Sequence, residues 1–169
     1  SAISGSDAPF ERDVVRDEQD GVRVHRLALR PGEHLHAAGV RPRLPRLVHD
    51  LLHELRPDVV HAHSFATLGP GHLAAAKALG ARRVVTFHDL WVTCPRFFRL
   101  PPDGITCPTG TDRAPCVGCV NELVRTDPAV IELALTERDR LLRAEIALAD
   151  VCIAPSASTA RAIREHLPY

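Results

Sequence analysis

The stretch RVVTFHDLWVTCPRFFRLPPDGITCPTGTDRAPCVGC, residues 83–119, decides the fold. It opens on a β-branched apolar run, Val84-Val85-Thr86-Phe87, then switches to His88-Asp89, with Trp91 and Cys94 close behind. A short apolar run bounded this sharply is the pattern of a buried strand in a parallel sheet. Such sheets bind ligands just beyond the carboxyl ends of their strands. Ionisable groups directly after an apolar strand are poorly explained by packing, because burying them without partners is unfavourable. His88 therefore reads as functional. Asp89 has two readings, a site carboxylate and a cap for the turn that follows.

Working outward, the alternation of strands and helices recurs on both sides. Upstream, Val22 to Leu29 alternates as a strand, and Pro31 to Pro42 reads as loop. Leu44, Leu47, Val48, Leu51, Leu52 and Leu55 then fall at helical spacing, ended by Pro57. Asp58 to His63 (DVVHAH) is a strand, and Gly69-Pro70-Gly71 opens a helix closed by Gly80. Downstream, Asp127-Pro128 caps a helix over roughly 128–148 that buries Ile131, Leu135, Leu142 and Ile146. Asp150 to Ala154 is another strand, and Ser156 or Ser158 caps a last helix through His166. Residues 1–20, polar and without periodicity, read as loop. The pattern predicts an α/β fold, a Rossmann-like parallel sheet with helices on both faces and a cysteine-rich loop insertion over 94–119.

Composition narrows the function. The chain has 169 residues, enough for one domain with a substantial core. Its 21 basic and 21 acidic residues balance, which gives no electrostatic case for a nucleic-acid partner. No apolar run approaches the length of a membrane span, and no secretory signal is visible. A polar start without methionine reads as a piece of a larger protein.

Three clusters could carry chemistry. His61 and His63 flank Ala62 at a strand end, so alternation puts both on one side, with His63 nearer the crevice. They read as one buried histidine satisfied by a backbone carbonyl plus one at the edge, as the polar wall of a cleft, or, with His88 and Asp89, as ligands of a metal-dependent hydrolase. Cys94, Cys107, Cys116 and Cys119 give C-x12-C-x8-C-x2-C in a Pro/Gly-rich segment without periodicity. Four thiolates would complete a closed structural zinc site, and such a clip would order a loop otherwise costly to order. Free thiols, a disulfide and an iron–sulfur cluster are the alternatives, and a non-catalytic zinc-stabilised interaction domain is a further whole-chain reading. Cys152, inside an apolar strand, reads as a small core residue. Glu137 and Glu145, among Arg138, Arg140 and Arg143, read as a solvated helix face.

PDVVHAHS, RRVVTFHDLWVTCPR and LADVCIAPSAST together resemble the N-terminal, acceptor-side domain of retaining glycosyltransferases of family 4, which have the two-domain GT-B fold. The similarity covers roughly residues 22–169, and the cysteines resemble those of a subset of that family with a cysteine-bearing loop. The resemblance implies a hexosyltransferase-type enzyme in which His88 sits near the transferred sugar, and Asp89 stands beside it as the second catalytic candidate. His63, Ser64 and Trp91 would contact substrate. It also implies a nucleotide-sugar donor held by a C-terminal domain and a sugar or lipid-linked acceptor. The setting would be the cytoplasm or the inner membrane face. The family's usual first strand and Gly-rich loop are not seen, nor is the donor domain, so the chain reads as a fragment inactive alone. The family's E-x7-E motif belongs to that other domain, so the spacing of Glu137 and Glu145 reads as accidental.

Overall fold

The computed structural model describes residues 2–6, 14–28, 43–100, 107 and 112–166. Two three-stranded sheets and five helices make up the described residues. The expected loop over Pro31 to Pro42 falls outside the described residues.

Residues 1–20, read above as loop, instead contribute two strands. β1 (Ala2–Ser6) runs parallel to β3 (Val22–Ala28), pairing Ala2 with Val24 and Ser6 with Ala28. β2 (Val14–Gln19) folds back antiparallel on β3, with Gln19 opposite Val22. The two residues between them, Asp20 and Gly21, both take positive φ, 51° and 78°. Asp-Gly with that geometry is the two-residue hairpin turn whose twist matches its strands. Gln19 and its neighbours are largely exposed, which is why the strand carries no apolar alternation.

The second sheet is fully parallel and matches expectation: β4 (Val59–Ala62), β5 (Arg82–Thr86) and β6 (Val151–Ile153), in that order. Register aligns Ala62 with Val85 and Val85 with Cys152. One core gathers on the face bearing Ala62, Val85 and Phe87, where it meets Leu73, Leu142, Ile146 and Ile163. Those residues come from α2 (His72–Ala78), α4 (Pro128–Ile146) and α5 (Ala157–His166). Each fully buried aliphatic side chain there contributes about 1.5–3 kcal/mol. A second core joins the two sheets: Leu27 of β3 packs with Leu44, Val48, Leu51 and Leu52 of α1 (Arg43–Leu55) and with Ala75 and Ala76 of α2. The two helices approach closely at Gly71, where a Cβ would lie 2.7 Å from Pro45 Cβ. Glycine is also required there by its φ of 122°.

Several local expectations change. The cysteine segment is not wholly irregular, because α3 (Ala114–Val124) carries Cys116 and Cys119 and packs on α4 through Val120, Ile131 and Leu135. Cys152 is exposed rather than in the core. The apolar stripe of α4 is as expected, capped by Asp127, which accepts the Ala129 amide at 2.8 Å. Arg138, Asp139 and Glu145 lie in that same stripe and are buried and Arg143 is half-buried, whereas Glu137 and Arg140 pair at the solvent as expected. The Glu145 carboxylate accepts the Leu73 amide at 2.6 Å and so caps the start of α2 across the core. Among the described residues, no helix is long and apolar enough to cross a membrane.

Candidate functional site

β4 and β5 lie side by side and parallel, so the residues leaving their carboxyl ends meet. His63 follows β4 and His88 follows β5, and His63 Nδ1 stands 2.9 Å from His88 Nε2. The two rings are nearly parallel, with centroids 5.2 Å apart. His61 stands on the same side of its strand, its ring centroid 4.1 Å from that of His63, and its Nε2 is 2.8 Å from Thr86 Oγ1. All three imidazoles are exposed, so neither His61 nor His63 is the buried, backbone-satisfied histidine of the first reading.

Two imidazoles joined nitrogen to nitrogen cannot both be protonated at the shared position. One donates and the other accepts, so the neutral pair holds a single proton between its rings. His63 is held below the usual histidine range by desolvation first, then by the charges that His61 and His88 would carry. His63, Ser64, Thr86, His88, Asp89 and Trp91 border a shallow hollow here.

The residues around the pair are mostly engaged in shaping backbone. Asp89 Oδ1 accepts the Trp91 amide at 2.7 Å, the turn-capping geometry, and Ser64 Oγ accepts the Ala66 amide at 3.1 Å. Trp91 is only 7% exposed, and its ring lies 4.3 Å from the Arg138 guanidinium.

A buried ionic group beneath the turn escaped the sequence reading. Arg113 Nε donates to Asp139 Oδ2 at 2.6 Å and Arg113 Nη1 donates to the Thr93 carbonyl at 3.0 Å. Arg138 donates to the carbonyls of Trp91 and Val92 and lies against Asp139. Burial pulls the Arg138 pKa down to about 10, with the Asp139 charge opposing it. For Arg113 burial works the same way, but hydrogen bonding to Asp139 and the pull of Cys116 outweigh it. The signal was present in the helical spacing: Arg138 lies seven residues after Ile131 and four before Leu142, on the stripe that must face inward.

Cys94, Cys107, Cys116 and Cys119 are all half-buried free thiols. Cys116 and Cys119 are three apart on α3, so they share a face. Burial pushes the Cys107 thiol up, and the other three thiols reinforce the shift while Arg99 opposes it. Arg96 lies 3.7 Å from the Cys119 sulfur. Among the described residues, no group of three or more His, Cys, Asp or Glu side chains is arranged to hold a metal ion. At the histidines the facing ring nitrogens bond to each other and to Thr86 instead of converging, so the hydrolase reading gains no support. At the cysteines the donor set itself suits zinc: four thiols, flanked by cationic Arg96 and Arg113 that would offset a tetrathiolate's negative charge.

The histidines thus lie just beyond the carboxyl ends of adjacent parallel strands, where α/β sheets bind their ligands. The sequence matches the family model Glycosyltransferase Family 4 over residues 3–169, and the chain belongs to that family. It is a glycosyltransferase-type domain with a Rossmann-like fold. No curated protein and no solved structure matches it.

Proposed function

We propose that this chain is the acceptor-side half of a retaining glycosyltransferase. It presents a sugar or lipid-linked acceptor to a sugar delivered as a nucleotide-sugar, whose diphosphate is held by a separate C-terminal domain. The observation that carries this reading is the 2.9 Å bond between His63 and His88 at the ends of β4 and β5. Whichever ring donates in that bond, the outer nitrogens, His88 Nδ1 and His63 Nε2, present one donor and one acceptor. That pairing suits sugar hydroxyls, which both give and take hydrogen bonds. In a retaining transfer, positive charge builds on the sugar ring and negative charge on the departing diphosphate. His88 holds the sugar in the geometry this charge separation requires, and His63 fixes the His88 ring. Asp89 contributes by shaping the turn, Ser64 and Trp91 by forming the walls of the hollow.

Losing one preorganised contact of this kind lowers turnover by on the order of 100-fold, about 3 kcal/mol. His88→Ala in the protein carrying the donor domain should show that loss with an almost unchanged melting temperature, because the ring is exposed. Near-normal turnover would remove His88 from the mechanism. The isolated chain should bind UDP- or GDP-sugars weakly, and micromolar binding by calorimetry would contradict the division of labour proposed.

The second part of the proposal is a structural zinc on Cys94, Cys107, Cys116 and Cys119, placing the chain in a cysteine-bearing subset of its family. Zinc would draw the segment from Cys94 to α3 together, coupling binding to local folding. Cys116→Ser should release metal measured by elemental analysis and open the segment to protease. A metal-free protein, purified under reducing conditions, with the segment equally resistant would refute it.

A further inference from the structure

Three consecutive carbonyls, those of Trp91, Val92 and Thr93, all accept hydrogen bonds from the buried guanidinium groups of Arg138 and Arg113. These carbonyls belong to the turn that follows His88-Asp89, where no strand or helix supplies partners for inward-pointing backbone. Asp139 bridges the two arginines, bonding Arg113 at 2.6 Å and meeting Arg138 at 3.5 Å. The Trp91 residue is therefore gripped at both ends: its amide by Asp89 and its carbonyl by Arg138, with its ring against the same guanidinium.

Stability is a poor explanation for this group. It buries two positive charges against one negative, and Arg138 Nε is buried without a hydrogen-bond partner. Buried ionic groups of this kind can commonly be replaced by well-packed apolar side chains at no loss of stability. What apolar residues cannot do is set three carbonyls of an irregular turn in one orientation. We infer that Arg138 and Arg113, joined by Asp139, are positioning residues for the His63–His88 site, holding the turn so that His88 meets His63.

The inference concerns the site on which the proposed function rests, but its test does not need sugar transfer. The readout is the imidazole N–H shared by His63 and His88, a hydrogen-bonded proton observable by nitrogen-15 NMR of the full chain. Arg138→Met removes the guanidinium while keeping an apolar side chain of related length. Asp139→Asn loosens the bridge with little change of volume, and Arg140→Met, on the exposed face of the same helix, is the control. The expected result is cooperative unfolding in all three, with the shared proton signal lost or exchanging at least tenfold faster in Arg138→Met and Asp139→Asn only. Arg138→Lys should restore part of the protection, since an ammonium can still donate to the carbonyls. If Arg138→Met does not fold, Asp139→Asn and Arg138→Lys decide alone. Folded variants with an unchanged signal would overturn the inference, as would an equal loss in Arg140→Met. In the protein bearing its donor domain, the positioning role should also lower kcat about tenfold with little change in KM. A positive NMR result without any transferase activity would leave the positioning role standing and count against the sugar-transfer reading.

Discussion

His72 opens α2 with its ring buried, stacked at 4.9 Å on Phe65, and burial pulls its pKa from 6.5 to about 4. The folded chain therefore refuses a proton that the unfolded chain accepts across that window. Stability rises with pH wherever the unfolded state binds more protons, so this residue makes the fold less stable as pH falls from 6.5 towards 4. From those two values the loss is about 2 kcal/mol at pH 5 and about 3 kcal/mol once pH is below 4. His25 and His63 are shifted in the same direction, so the total pH dependence cannot isolate His72. His72→Phe isolates it, because the variant lacks this titration while keeping a ring against Phe65. Urea unfolding of both proteins at pH 7.5 and pH 5 gives four free energies. The wild type should lose about 2 kcal/mol more than the variant between those conditions. Equal losses would show that His72 takes up its proton in the folded state and is not closed off from water.

Glu145→Ala should lower stability by about 3 kcal/mol in urea melts, since the amides opening α2 lose their acceptor inside the core. An unchanged midpoint would mean that water replaces the carboxylate. Gly71→Ala should cost about 1–3 kcal/mol, because the new Cβ meets Pro45 in a backbone conformation that alanine resists. A neutral thermal shift would show that α1 and α2 can separate freely. Leu142→Ala, in the core between α4 and the parallel sheet, should cost about 2–5 kcal/mol and leave the chain folded at room temperature.

The parts legible in the sequence are those with a single strong period. The strand Val84 to Phe87, the stripe of α1 and the Asp127-Pro128 start of α4 carry their structure locally, and the histidine pair follows once β4 and β5 are neighbours. The hairpin of β2 and β3 is marked locally by Asp20-Gly21 alone, because a largely exposed strand in an acidic stretch shows no alternation. Glu145 and Arg138 were misplaced for the opposite reason. Charge argued for solvent while helical position argued for the core, and position prevailed because each side chain finds backbone partners on another element. Those partners lie 72 and 46 residues away in the chain, beyond any local pattern.

Arg113 joins the two halves of the site that the sequence presents separately. Its backbone is the N-cap of α3, the helix bearing Cys116 and Cys119, while its guanidinium holds the Thr93 carbonyl directly before Cys94. The Asp139 it bonds also meets Arg138, which grips Trp91 and Val92, two and three residues from Asp89 and three and four from His88. Any displacement of α3 must therefore move Arg113 relative to Asp139 or drag the turn with it. Neither is cheap, because separating a buried pair leaves an uncompensated charge costing about 3–5 kcal/mol. The same chain of bonds explains why Asp89 can cap its own turn and still matter to the histidines. Its carboxylate fixes the amide side of Trp91, and the arginines fix the carbonyl side. The orientation of His88 is thus set by a strand behind it, a partner imidazole beside it and a buried ionic group beneath the turn that follows.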